Sequence, residues 1–72
     1  MEEKKRKNTY TKKEIEIMQL IASGFSDREI AGKIGNTFSY VRNIYARLLL
    51  KTGTVNKPHL ISWAYREGIL KI

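Results

Sequence analysis

Apolar residues recur every three or four positions through most of the chain, which is the spacing of an amphipathic α-helix. The first such stretch follows Thr11-Lys12-Lys13-Glu14, in which the threonine hydroxyl can accept from the Glu14 amide while the Glu14 carboxylate reaches back. This capping box predicts a helix start, and Gly24 predicts its end because glycine easily adopts a left-handed conformation. The apolar positions of this helix are Ile15, Ile17, Met18, Ile21 and Ala22.

A second helix and a tight turn are predicted directly after the first. Ser26-Asp27-Arg28-Glu29 is another capping box, and the residues expected to face inward are Ile30, Ala31 and Ile34. Gly35-Asn36-Thr37 is predicted to be a tight turn, since glycine and asparagine both tolerate positive φ.

The third helix is predicted to run from Thr37 to about Lys51. With Val41 facing inward, helical spacing places four more residues on the same side: Phe38, Ile44, Tyr45 and Leu48. The opposite face carries Ser39, Asn43, Ala46 and Leu50, flanked by Tyr40, Arg42 and Arg47.

A fourth helix is predicted after the loop formed by residues 52–56. Asn56 or Lys57 caps it, and Pro58 lies in the first turn, where the missing amide is harmless. Leu60, Trp63 and Ala64 form its inward stripe, Gly68 ends it, and the apolar tail 69–72 can fold back on the core. No segment has the alternation of a strand. The pattern therefore predicts an all-α, four-helix domain over 10–72, preceded by a flexible basic arm over 1–9 that either contacts DNA or has no role.

Composition and charge limit the kinds of binding partner and the cellular compartment that are expected for this chain. The net charge is +7, and no acidic residue lies between Glu29 and Glu67, whereas that stretch contains six basic residues. Such segregation favours a binding face for a polyanion over ordinary solvated charge. The chain has no cysteine, no signal peptide and no apolar run long enough to span a bilayer, so we expect a cytoplasmic protein with no membrane partner and no cofactor.

The order of a short helix, a glycine-containing turn and a longer basic helix is that of a helix-turn-helix. The second helix of such a pair lies in the major groove of duplex DNA and must present small or hydrogen-bonding residues there. Ser39, Asn43 and Ala46 meet that requirement. Arginine can contact guanine O6 and N7, and asparagine can contact adenine N6 and N7, so Arg42 and Asn43 are predicted to read bases.

Residues 11–31 (TKKEIEIMQLIASGFSDREIA), together with Val41-Arg42-Asn43, Lys51-Thr52-Gly53 and the fourth helix, resemble the LuxR/GerE-type helix-turn-helix domain. The resemblance covers about residues 10–70 and implies a transcription regulator, here expected to act without an attached sensing domain. It implies base contacts from Arg42, Asn43 and Ala46, and phosphate contacts from Thr37, Tyr40, Arg47 and Lys51, with Lys13 and Arg28 as further candidates. It also implies a homodimer through the flanks of Ile61 and Tyr65.

The sequence departs from that family's pattern at several positions, which indicates a divergent member. Asn36 replaces an aliphatic residue, Tyr40 a threonine and Ile44 a histidine, while Thr52 and Thr54 replace apolar residues around Gly53. These departures concern the turn and the target sequence, and the order of helices is retained.

Other functions remain as alternatives. The chain could be a sigma region-four-like module that binds RNA polymerase, although such modules generally lack a helix after Gly53. It could also be a protein-interaction module, such as an anti-activator that binds another regulator through the fourth helix. RNA binding is disfavoured because the deep groove of A-form RNA does not admit a helix. Trp63 and the tyrosines could stack single-stranded bases, but at helical spacing they are more typical of a core. His59 is the sole histidine, without a nucleophile or cysteine partner, so no enzyme and no metal site is predicted.

Overall fold

The structure, a computed structural model, describes residues 10–71. Within that range the chain forms four helices and no strand, as the sequence pattern predicts. The helices are α1 (Lys12–Ala22), α2 (Asp27–Ile34), α3 (Phe38–Thr52) and α4 (Lys57–Arg66). None of them is long and apolar enough to cross a membrane. The predicted basic arm 1–9 lies outside the described residues.

Both predicted capping boxes are present. Thr11 Oγ1 accepts from the Glu14 amide at 3.0 Å, and Glu14 Oε1 accepts from the Thr11 amide at 2.9 Å. The same reciprocal pair joins Ser26 and Glu29, at 3.2 and 2.8 Å. Hydrogen bonds from the Ser26 backbone and side chain lower the pKa of Glu29, because they favour its charged form. These contacts satisfy amides that a helix start would otherwise leave unpaired.

The turn between α2 and α3 depends on one glycine. Gly35 is left-handed, with φ of 68°, and the following Asn36 amide donates to the Ala31 carbonyl at 2.9 Å. Asn36 itself does not have positive φ, so the tolerance of asparagine for that conformation is not used. Thr37 then caps α3 by accepting from the Tyr40 amide at 3.0 Å.

Two apolar clusters hold the helices together, and α1 belongs to both. Adjacent residues of α1 divide between them: Ile17 enters the first cluster, and Met18 enters the second. The other buried members of the first are Ile21, Ile30, Ala31 and Val41. The other buried members of the second are Leu48, Leu60, Ala64 and Leu70. Burying each large aliphatic side chain contributes about 1.5–3 kcal/mol, so together these contacts fix α3 between α2 and α4.

The tail and the aromatic residues complete the second cluster. Leu70 is buried and Ile69 packs against this cluster, so residues 69–71 fold back on the core as the sequence predicts. Trp63 is half-buried against this cluster, with the Tyr10 ring edge-on at 6.0 Å between centroids. This position is that of a core aromatic residue.

Phe38 and Ala22 depart from the predicted inward pattern. Ala22 is exposed near the end of α1. Phe38 is 38% exposed, because it is the first residue of α3 and lies beyond the reach of the first cluster. Its ring is covered instead by the Arg28 guanidinium, 4.4 Å from the ring centroid, in a cation–π contact.

Candidate nucleic-acid interface

Helix α3 presents a narrow stripe of small and polar side chains on its outer face. Ser39, Asn43 and Ala46 are all exposed and follow one another at spacings of four and three residues. Val41 and Leu48, which face the other way, are completely buried and fix the rotation of the helix. With 15 residues, α3 is about 22 Å long. The stripe is therefore held outward on a rigid element.

The side chains of this stripe are available to a ligand. Among residues 10–71 no hydrogen bond occupies the Asn43 amide or the Ser39 hydroxyl. Ala46 adds a methyl group that lets the backbone approach a surface closely. The three predicted positions are thus brought together with free donors and acceptors. Leu50 continues the stripe toward the end of the helix and is 85% exposed.

Arg42 borders the stripe and is held by α2. Its Nη1 donates to Asp27 Oδ2 at 3.2 Å, while the side chain remains 56% exposed. Its guanidinium also lies 5.9 Å from the Phe38 ring centroid. One part of the guanidinium is therefore fixed by the protein, and no other described residue hydrogen-bonds to its remaining N–H donors.

Asp27 is the residue that sequence reasoning missed at this surface. It is the first residue of α2, is buried, and lies between cations from two other helices. Besides Arg42, Lys57 Nζ of α4 approaches Asp27 Oδ1 to 3.1 Å, as an ion pair without hydrogen-bond alignment. A carboxylate buried to this extent is stable only when its charge is compensated. No local sequence signal marks the contact, because Asp27 and Arg42 are 15 positions apart.

The residues predicted to contact phosphate lie at several places around α3. Thr37 caps its N-terminus, where backbone amides and the helix dipole favour an anion. Arg47 is exposed and has no ion pair with another described residue, whereas Tyr40 is half-buried against the first cluster. Arg28 lies over Phe38, and Lys13 Nζ is 3.7 Å from Glu16 Oε1 on the exposed side of α1.

Lys51 has an internal partner. Its ammonium lies 3.2 Å from both carboxylate oxygens of Glu14, a buried residue of α1, and 4.7 Å from the Tyr10 ring centroid. The charge that was predicted to meet a phosphate is therefore already compensated within the fold. The phosphate contact of Lys51 stays a prediction, and the ion pair with Glu14 would compete with it for the ammonium group.

The predicted dimer residues differ in exposure. Tyr65 is 39% exposed on α4, beside a shallow depression that is also lined by Gln19, Ser23 and Lys71. Ile61 is half-buried and packs against both core clusters. Tyr65 is thus the better-placed contact for a second copy, and Ile61 would offer only part of its surface.

Comparison with known proteins agrees with this geometry. The family model of the luxR family of bacterial regulatory proteins matches residues 8–64. The oxygen regulatory protein NreC of Staphylococcus aureus strains JH9, JH1 and Mu3 is 33% identical over 61 residues. That alignment covers 85% of this chain but 28% of the relative, so the chain spans just over a quarter of the length of these proteins. No solved structure gives a significant match.

The range matched by the family model contains nearly all of the four helices of the structure. The matched range 8–64 contains the whole of α1, α2 and α3 and most of α4, including the capped α2–α3 pair and the exposed stripe. The LuxR-type resemblance and the all-α fold predicted from the sequence are both confirmed. The chain belongs to the luxR family of bacterial regulatory proteins, whose helix-turn-helix domain binds DNA to regulate transcription.

Proposed function

We propose that this domain binds duplex DNA in a sequence-specific manner, with α3 in the major groove. The observation that carries the proposal is the exposed stripe of Ser39, Asn43 and Ala46 beside Arg42, on a helix that has no carboxylate. The major groove is about 12 Å wide and admits an α-helix when the side chains facing the bases are small. The stripe fits that requirement, and no other described residue hydrogen-bonds to its polar side-chain atoms.

Base reading is assigned to residues 39–46 of α3. Arg42 would donate to guanine O6 and N7, and Asn43 would bond both edge atoms of an adenine. Ser39 would hydrogen bond to a base edge, and Ala46 would contact a thymine methyl group. Each good bidentate contact discriminates against a wrong base by about 1–3 kcal/mol.

Backbone contacts would fix the position of the domain on the duplex. We assign them to Thr37, Tyr40 and Arg47, with Arg28, Lys13 and Lys51 as further candidates. Neutralising phosphates releases counterions, so affinity should fall steeply with salt whatever the sequence. A protein of charge +7 binds DNA in this non-specific way in any case, and affinity alone therefore does not test the proposal.

A homodimer on DNA is the second part of the proposal. Two-fold symmetric pairing through α4 would give a two-fold symmetric DNA site, because half-sites mirror the symmetry of the protein. The exposed ring of Tyr65 supports this arrangement. The polar and basic rim around it suits contact between copies better than insertion into another protein's core.

Selection of bound sequences from a random duplex library, at near-physiological salt, tests the proposed function. Wild type and the Arg42→Ala/Asn43→Ala variant are run in parallel, with Lys33→Ala as the matched charge control, since Lys33 is exposed in the last turn of α2 and belongs to none of the proposed contacts. We expect wild type and the control to enrich one motif, and the double variant to lose it. Weak, salt-sensitive binding without an enriched motif would contradict the proposal.

A protein-interaction module is the second candidate function. Leu50 and Val55, 85% and 73% exposed, are large apolar side chains at the end of α3 and in the next loop. Exposed apolar side chains of this kind can mark a protein partner, RNA polymerase included. This candidate predicts that the Arg42→Ala/Asn43→Ala variant keeps its function in cells, whereas Leu50→Ser/Val55→Ser loses it.

A further inference from the structure

We propose that Asp27 is a positioning residue for DNA reading, which orients Arg42 before DNA arrives. This inference rests on the proposed function, since Arg42 is there a base-reading residue. Asp27 is buried, yet its two oxygens point to cations of two other helices, 3.2 Å to Arg42 Nη1 and 3.1 Å to Lys57 Nζ. The carboxylate therefore links the starts of α2 and α4 to the outer flank of α3.

The geometry leaves Arg42 prepared for a second bidentate partner. A guanidinium has five N–H donors in a planar fork, and Asp27 engages Nη1 only. The opposite edge, formed by Nη2 and Nε, makes no hydrogen bond within residues 10–71 and can meet the two acceptors of a guanine. Since an arginine side chain has many rotamers, fixing one edge reduces the freedom lost when the other edge binds.

The surroundings strengthen this orientation. The Phe38 ring centroid lies 5.9 Å from the Arg42 guanidinium and 4.4 Å from the Arg28 guanidinium. Two arginines are thereby arranged around one ring at the N-terminal end of α3. Phe38 limits where Arg42 can turn, and Asp27 determines where it points.

The charge of Asp27 works against non-specific binding at the same time. It compensates two cations near the proposed DNA surface, so its removal raises the net charge from +7 to +8, since one negative charge is lost. An ordinary structural defect weakens binding to every duplex. Loss of orientation weakens the preference for the correct base, while the added positive charge maintains or raises affinity for a scrambled duplex.

The test is base preference at the position read by Arg42, measured with the motif duplex, its single-base variants and a scrambled duplex. Asp27→Asn keeps the size of the side chain, but it removes the charge and replaces one acceptor oxygen by an NH2 donor, so it can no longer face both cations with an acceptor. The released cations are partly exposed and can be hydrated. We expect the preference, about 5–150-fold for one good contact, to fall at least fivefold without loss of affinity for the scrambled duplex. Thermal unfolding of each variant confirms that it is folded under the assay conditions.

Two further variants separate orientation from other effects. Lys57→Gln removes the other cation and leaves Asp27 to Arg42, so we expect it to retain the preference. Arg42→Lys removes the forked guanidinium. Adding Asp27→Asn to this variant should therefore cause no further loss of base preference at that position. An unchanged preference in Asp27→Asn, or losses that multiply in the double variant, would overturn the inference. Absence of any motif with wild type would instead contradict the proposed function itself.

Discussion

Thr52 and Thr54 form a polar contact beneath the end of α3. Their hydroxyl oxygens are 2.8 Å apart, and the Thr52 hydroxyl also lies 2.7 Å from the Leu48 carbonyl oxygen. Thr54 is buried, so its hydroxyl depends on Thr52 for a partner. This pairing explains why two threonines can stand around Gly53, where the family usually has apolar residues: each compensates for the polarity of the other.

A double-mutant cycle tests this pairing. Thr52→Val should lower the free energy of unfolding by about 1–3 kcal/mol, because it leaves the buried Thr54 hydroxyl without a partner. Thr52→Val/Thr54→Val should be close to wild type, since replacing both partners by apolar groups of the same shape removes the penalty. Urea denaturation gives the values. If the free energy of unfolding of the double variant fell by the sum of the two single-variant effects, the hydroxyl pair would not be the source of stability.

Single residues also show where sequence patterns stop being informative. Capping residues were predictable, because Thr11 and Ser26 act on partners three positions away. Phe38 was predicted to face inward, since periodicity treats the first residue of a helix like any other. Its actual position depends on Arg28, and the position of Arg42 depends on Asp27; both are contacts between helices that no local pattern encodes.

At the scale of elements, α1 and α3 are joined by the ion pair of Glu14 and Lys51. Glu14 closes the capping box of α1 and also accepts two contacts from the Lys51 ammonium at 3.2 Å. One side chain thus fixes the start of α1 and the end of α3 together. The end of α3 is therefore anchored on the side away from its base-reading residues.

Lys51→Gln should consequently affect the fold more than DNA binding. Without the ammonium, the nearly buried Glu14 carboxylate loses its cation, and we expect unfolding to become easier by about 1–3 kcal/mol. Removal of a lysine that contacts a phosphate reduces the salt slope by about one. We expect a smaller change for Lys51→Gln than for Arg47→Gln, the matched control on the same helix. Equal slope changes with unchanged stability would assign Lys51 to the phosphate backbone instead.

The order of the helices was predictable because it depends on local sequence signals. These are the spacing of the apolar residues, the capping boxes and the glycines that adopt a left-handed conformation. Gly35 and Gly53 end α2 and α3 with φ of 68° and 73°. The sequence also placed Ser39, Asn43 and Ala46 on one exposed face. It did not reveal the internal partner of Lys51, because that contact joins residues 37 positions apart.

At the scale of the whole molecule, the length of the domain is close to the spacing of the major grooves on one side of a DNA duplex. The described part of the chain measures 38 × 21 × 20 Å. Successive major grooves on one side of a duplex are about 34 Å apart. The proposed pairing through α4 requires the α3 helices of the two copies to lie about this distance apart.

Tyr65→Ala tests this arrangement. On a duplex with two half-sites we expect affinity to fall about tenfold, because pairing between the two copies adds to the binding of each; this corresponds to about 1.4 kcal/mol. Binding to a duplex with one half-site should stay at the wild-type level. Tyr65→Phe, which keeps the ring, serves as the control. Equal losses on both duplexes would show that Tyr65 does not act between copies.

The central claim is that α3 reads base edges in the major groove, and atom replacement in the selected DNA site tests it most directly. Each purine in turn is replaced by its 7-deaza analogue, which lacks the N7 acceptor of the major groove; inosine, which lacks the minor-groove amino group of guanine, is the control. We predict that 7-deaza replacement at one or two positions weakens wild-type binding by about 5–150-fold. The Arg42→Ala or the Asn43→Ala variant should no longer be sensitive to this replacement. Inosine should have little effect on binding. Sensitivity to inosine alone, or 7-deaza effects unchanged in both variants, would contradict the account.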